Sequence, residues 1–268
     1  MENLHLSLMK WTMGVRKNTT NIPIWGDCGR CPIGVQMIKL LIDFHNRLTQ
    51  LDDANSAQIV RHAFAEQRSM GLEWYRTTQM LYHRFDPEAL ARSQRSSKSA
   101  LPNSTLVKKR AEEWFKGEWN QAREQSRKLI FYNAIKKEHG FEPYLHLQKH
   151  KKAKFIAWLR SSSHFLNNET GRYGLRYESQ HHRACNFCST EDKELLQLLA
   201  NLPTVNLIIE DEEHFIRDCP RYGELRSELS LVYRELLTKR DYKDLFSEDH
   251  VIETAKYIQK LSLMRYEN

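Results

Sequence analysis

The chain has 268 residues, with 41 Lys and Arg against 34 Asp and Glu, a formal charge of +7 and a sequence pI near 9.1. Its 40% hydrophobic and 28% charged residues suffice for a sizeable core and lie far from membrane composition, and the length allows one large domain or two small ones. No run approaches the ~20 apolar residues of a membrane span.

Residues 1–14 interleave Glu2, His5 and Lys10 with apolar side chains, so no secretion signal is expected there. Five cysteines are too few for a secreted disulfide scaffold. Free thiols, metal ligands or a redox pair in a reducing compartment, nuclear or cytoplasmic, are the expectation.

Residues 2–14 (Leu4, Leu8, Met9, Trp11) suit a short helix that residues 18–23 interrupt. Pro32 then opens a helical pattern through Ile33, Val35, Ile38, Leu41 and Phe44. Residues 54–68 and 72–83 predict two more helices joined at Gly71. Ser, Lys, Asn and Pro dominate residues 92–104, which read as a linker. Beyond it, 106–139 lacks proline and spaces Val107, Ala111, Trp114, Ala122, Leu129 and Ile130 for one face, predicting a long basic helix ended by Gly140. Residues 145–160 predict another basic helix, 205–209 the best strand, and 221–238 and 250–264 two closing amphipathic helices. The expected fold is mainly α, with helical bundle segments, the long basic helix and a small zinc knuckle. Its expected divisions are 1–91, the linker 92–104, a basic segment 105–160, a knuckle region 161–220 and C-terminal helices 221–268.

The charge is uneven: residues 1–104, 105–160 and 161–268 carry +4, +8 and −5. Clustered Lys and Arg release counterions from phosphates, so Lys108, Lys109, Arg110, Lys149, Lys151, Lys152 and Lys154 are candidate nucleic-acid contacts. A solvated helical face is the competing reading.

Cys185, Cys188, His214 and Cys219 form two close pairs, Cys-x2-Cys and His-x4-Cys, separated by 25 residues. Three thiolates and an imidazole complete a tetrahedral zinc site with no open position, which is a structural rather than catalytic arrangement. Surface thiols beside an ordinary histidine are the alternative. Cys28-x2-Cys31 lacks a second pair and reads as a chance pair in a turn, and the tandem His181 and His182 read as a solvated segment. The adjacent Asp52 and Asp53 read as a helix N-cap, and His164 near Glu169 reads as structural rather than as an acid–base pair.

Several strings together resemble the C-terminal, post-polymerase region of LINE-type non-LTR retrotransposon reverse transcriptases. They are Trp25-Gly26-Asp27 with Gly29-Arg30-Cys31-Pro32, Arg127-Lys128-Leu129 with Tyr132, Phe141-Glu142-Pro143-Tyr144-Leu145, Leu159-Arg160-Ser161-Ser162-Ser163-His164, Glu169-Thr170-Gly171-Arg172-Tyr173, and the CCHC set with Glu210-Asp211-Glu212-Glu213 before its histidine. Cys31 stands where that family has an aromatic residue, and the 25-residue spacer is longer than the family's, with residues 193–207 reading as an insertion. The resemblance implies a module that holds template RNA and target DNA. The expected mechanism adds a knuckle-ordered loop carrying Arg172, Arg176 and Arg183, with exposed Tyr173 and Phe187 stacking on unpaired bases. The family's polymerase and endonuclease motifs are absent from this sequence, as are a phosphate loop, His-Glu-x-x-His and Gly-x-Ser-x-Gly.

The expectation is therefore a non-enzymatic binder of RNA or DNA, with structural zinc, no membrane association and no small-molecule substrate. A scaffold whose acidic C-terminal third docks a basic partner, or a decayed retrotransposon reading frame, are the alternatives.

Overall fold

The computed structural model describes residues 1–50, 58–88, 101–147, 150–171, 183–188 and 208–266, with backbone alone at 150 and 151. Helices dominate the described residues; of the strand expected at 205–209 only 208 and 209 are among them, and there Ile209 forms an isolated antiparallel bridge with Ala184. Two compact units form: one from Met1–Glu2 and Cys31–Trp119, the other from Asn3–Arg30 and Asn120–Asn268. The division falls inside a helix, at 119/120, and most of the expected linker 92–104 lies outside the described residues.

In the first unit, α3 (Ile33–Thr49), α4 (Gln58–Ser69), α5 (Glu73–Phe85) and most of α6 (Ser104–Gln125) follow the helical apolar spacing. Val35, Ile38 and Ile42 of α3 meet Tyr82 and Phe85 of α5 and Val107 and Ala111 of α6. His45 lies within an aromatic cage of Phe64, Trp74, Tyr75 and Tyr82. Its Nδ1 is 2.9 Å from the Tyr82 hydroxyl.

The predicted long helix at 106–139 is two helices. α6 ends at Gln125, residues 126–129 turn, and α7 spans Ile130–Ile135. Tertiary pairing sets the break: Arg123 donates to the Lys136 carbonyl at 2.8 Å, while Asn133 donates to the Arg123 carbonyl at 2.9 Å. Gly140 caps no helix; its N–H donates to the Gly26 carbonyl at 3.3 Å. The 221–238 pattern is likewise split into α10 (Gly223–Ser227) and α11 (Leu231–Lys239), because the Ser230 hydroxyl accepts from the Tyr233 N–H and restarts the helix.

The second unit holds α1 (Glu2–Met13) from Asn3 onward, α2 (Asn21–Cys28), α7, α8 (His150–Arg160), α9 (Asn167–Thr170), α10, α11, α12 (Tyr242–Leu245) and α13 (Val251–Tyr266). Helix α2 occupies a segment expected to interrupt structure. Pro23 lies in its first turn, where its missing N–H costs little, and Gly29 ends it at φ +60°. A Cβ on Gly29 would lie 2.6 Å from the Phe141 nitrogen, so the glycine admits the backbone that pairs Cys28 with Phe141.

That pairing centres the unit on Asp27 and Arg160, neither with any exposed side-chain surface. Asp27 accepts four bonds of 2.9 Å: from Arg160 Nε and Nη2 and from the Tyr132 and Tyr144 hydroxyls. Glu142 adds a second carboxylate 3.0 Å from Arg160 Nη2 and also pairs with Lys136. The rings of Tyr132, Tyr144 and Phe246 cover the guanidinium. Burial and Asp27 push both tyrosine pKa values well up, keeping the hydroxyls as donors. Arg160, the last residue of the expected basic helix, is thus the charged centre of the core.

Candidate metal centre

The bridge between Ala184 and Ile209 starts the site: the Cys185 N–H donates to the Ile208 carbonyl and the Glu210 N–H to the Arg183 carbonyl, each at 2.8 Å. This brings the Cys185–Cys188 turn against the segment leading to His214. On an α-helix, residues five apart lie about 140° apart around the axis, too far to share an ion. Residues His214–Asp218 instead form one π turn, with the Cys219 N–H donating to the His214 carbonyl at 2.8 Å, so both side chains face the same point. Asp211 starts that turn by accepting from the His214 N–H at 2.8 Å.

The four donor atoms all lie within 4.8 Å of one another. Cys185 Sγ is 3.9 Å and Cys188 Sγ 3.8 Å from Cys219 Sγ, and Cys188 Sγ is 3.4 Å from His214 Nε2. Bonds of zinc's length, about 2.3 Å to sulfur and about 2.0 Å to nitrogen, place tetrahedral donors about 3.8 Å (sulfur–sulfur) and about 3.5 Å (sulfur–nitrogen) apart. The cluster therefore has the donor types and spacing of a closed metal site. Cys185, His214 and Cys219 are buried and Cys188 is half-buried.

Protons alone satisfy this cluster poorly. The hydrogen bond from Cys219 lowers the Cys185 pKa to about 3, with the His214 imidazole and the N–H groups of Phe187 and Cys188 also favouring its thiolate. Burial and the Cys185 charge push Cys188 up, and the bond to Cys185 pushes Cys219 up. Burial is the largest influence on His214 and lowers its pKa, but the hydrogen bond to Cys185 together with the negative charges of Cys185, Asp211 and Asp218 makes the net shift upward. One thiolate thus forms at its neighbours' expense, whereas a divalent ion would let all three ionise.

The acidic run before His214 is spent inside the molecule rather than displayed. Glu210 is bidentate with Arg265, at 2.8 and 3.2 Å. Glu212 accepts from Ser162 Oγ at 2.8 Å and lies 2.9 Å from His164 Nε2. Glu213 pairs with Arg217 and Arg240. His164 therefore faces Glu212, while Glu169 is held by Lys128. Phe187, expected to be exposed, is half-buried with Arg221 and Arg265 over its ring at 5.5 and 5.3 Å.

The basic candidates divide. Lys108, Lys109 and Arg110 belong to α6, which carries five basic and four acidic residues. Lys108 and Lys109 pair with Glu112 and Glu113 one turn on, and Arg110 donates to the Phe85 carbonyl at 2.7 Å. Lys152 and Lys154 lie on α8 without a carboxylate partner among the described residues. Arg183 adjoins the metal cluster with its Nε buried and unbonded. Lys149, Arg172, Arg176, Tyr173, His181 and His182, the insertion 193–207, and Asp52 and Asp53 lie outside the described residues, as does the Lys151 side chain. Cys28 and Cys31 are free thiols in different units: Cys31 is buried among Val35 and Ile38, and burial, aided by Asp27, pushes the Cys28 thiol up to about 11.

Sequence reasoning missed Asp211 and the Glu210–Arg265 pair, although both acids stand in the run quoted before His214. No family model, curated protein or solved structure matches this chain. No helix among the described residues is long and apolar enough to cross a membrane.

Proposed function

We propose that the chain is a non-catalytic nucleic-acid-binding module, derived from the C-terminal region of a LINE-type retrotransposon reverse transcriptase. In this reading one structural zinc, on Cys185, Cys188, His214 and Cys219, orders a knuckle beside basic helices. It acts on RNA or DNA in the nucleus or cytoplasm and takes no small-molecule substrate.

The convergence of four donors, the outermost 34 positions apart in sequence, carries the reading. Four protein ligands leave no coordination position for a substrate, which favours a structural ion. The strings bearing the family resemblance also meet in one core, through Asp27, Tyr132, Glu142, Tyr144 and Arg160. Unpaired Lys152 and Lys154, with Arg183 beside the cluster, supply cations for phosphates; Lys108, Lys109 and Arg110, already paired, contribute less. The internal pairing of Glu210, Glu212 and Glu213 weighs against a scaffold that docks basic partners through them.

Elemental analysis of the purified chain should give one zinc per molecule and much less for Cys188→Ser. Titration with labelled RNA and DNA should give a log–log salt slope of about −3.5 to −4.5 if about five phosphates are contacted. Absence of zinc, or a flat salt response, would overturn the respective half of the reading.

A further inference from the structure

A cleft of about 200 Å³ opens in the second unit between residues 14–16, α8 and the end of α13. Its walls include Arg16, Lys154, Trp158, Phe165 and Tyr266, and no carboxylate lines it. Pockets that enclose a whole small ligand run to about 300–1,000 Å³, so this one suits a group inserted from a longer molecule.

The cations are held by packing rather than by counter-ions. Gly14 has φ +67°, and a Cβ there would lie 2.9 Å from Lys154 Cγ, so the turn rests directly on the lysine stem. Trp158 Nε1 donates to the Gly14 carbonyl at 2.6 Å, and the Lys154 ammonium sits 4.4 Å from the Trp158 ring centroid. The Arg16 N–H donates to Ser163 Oγ at 3.3 Å, which itself bonds Thr19 Oγ1 at 2.7 Å, fixing the backbone beneath an exposed guanidinium. Neither cation has an ion-pair partner among the described residues. Beside them Tyr266, 61% exposed, stands 4.6 Å from Phe165 between ring centroids.

Two unpaired cations alone would suit any anion, but an exposed aromatic face next to them fits a phosphate joined to a planar base. We infer that this cleft seats one unpaired nucleotide of a single-stranded nucleic acid, with its phosphate between Arg16 and Lys154 and its base against Tyr266. The inference rests on the nucleic-acid reading above and assigns Arg16, Trp158 and Tyr266 to it. Stacking on an aromatic side chain tolerates any base, so the site should not read sequence.

The test uses the full zinc-loaded chain and a fluorescein-labelled oligouridylate of about a dozen nucleotides, with a duplex of equal length as comparator. Arg16→Ala combined with Lys154→Met, which keeps the stem on Trp158, should weaken oligouridylate binding about tenfold or more and flatten the salt slope by about 0.7, the share of the one phosphate lost. Tyr266→Ala should weaken the single strand about tenfold and leave the duplex unchanged. Unchanged affinity and slope in the double variant, with the wild type binding, overturn this inference alone. An equal effect of Tyr266→Ala on both probes overturns the base contact. No binding by the wild-type chain overturns both this inference and the function on which it rests.

Discussion

Asp27→Asn keeps the shape of the buried carboxylate and removes the charge that Arg160 faces. In the native chain that carboxylate accepts from four donors, and neither partner has exposed side-chain surface. The amide can accept at one oxygen, and its NH2 confronts two of the donors it replaces. Arg160 keeps Glu142 but loses its bidentate partner. Breaking one side of a buried pair costs about 3–5 kcal/mol. For a unit of about 180 residues, each kcal/mol lowers Tm by about 2–4 °C, so the unit should melt about 6–20 °C earlier. Thermal unfolding followed by circular dichroism and urea titration reads this directly. A loss below about 1 kcal/mol would refute the argument that the pair is desolvated and indispensable.

The same geometry sets a second arm of this experiment. Asp27→Leu with Arg160→Met removes both charges, and such exchanges are often neutral or stabilising by themselves. Here they strand the Tyr132 and Tyr144 hydroxyls, each buried and bonded to Asp27, at about 1–3 kcal/mol apiece. Adding Tyr132→Phe and Tyr144→Phe should therefore recover stability relative to the charge-free double variant. If it recovers none, the tyrosines do not depend on Asp27.

Gly29→Ala should destabilise by more than the ~1–2 kcal/mol of a left-handed alanine, because its Cβ meets the Phe141 backbone. Gly71→Ala, at φ +59° but facing the movable Arg76 guanidinium, should cost only that backbone amount; equal denaturation midpoints for the two would refute the distinction. Burial lowers the His45 pKa, so the unfolded chain binds the proton at higher pH than the folded one. The His45 contribution is complete above the ordinary histidine value near 6.5 and is lost as pH falls from there through the folded pKa. Urea midpoints of the first unit should thus fall between pH 7 and pH 5, and His45→Gln should flatten that trend.

Helical periodicity was enough to locate α1, α3, α5 and α13, since each buries one stripe of its own apolar residues. It failed where a distant side chain overrides local preference. Nothing in residues 123–130 marks a stop; the turn exists because Arg123 and Asn133 exchange bonds with each other's backbone neighbourhood. Arg160 looked like a basic last-turn residue because its partner lies 133 residues away. Pro23 read as a breaker, yet proline is tolerated in a first turn, and Gly26 behind it is buried where its carbonyl receives the Gly140 N–H. The candidate metal ligands were legible for the opposite reason. Cysteine and histidine at chelating separations keep their chemistry whatever path the intervening chain takes, and the cluster closes across the 25-residue spacer.

Helix α13 joins the candidate metal centre to the cleft. The Tyr257 hydroxyl donates to the Ile216 carbonyl at 2.5 Å, inside the π turn that carries His214 and Cys219. Two turns on, Arg265 clamps Glu210 beside Asp211, and the next residue is Tyr266 in the cleft wall. An ion that holds Cys185 to Cys219 also holds the segment that anchors the end of α13. Chelation should therefore weaken oligouridylate binding even though no metal ligand lines the cleft. The loss should shrink in Tyr266→Ala, where the aromatic contact is already gone, giving a coupling that a double-mutant cycle resolves. Equal losses on chelation in wild type and variant would separate the two sites and leave the metal to act through Arg183 and its own loop alone.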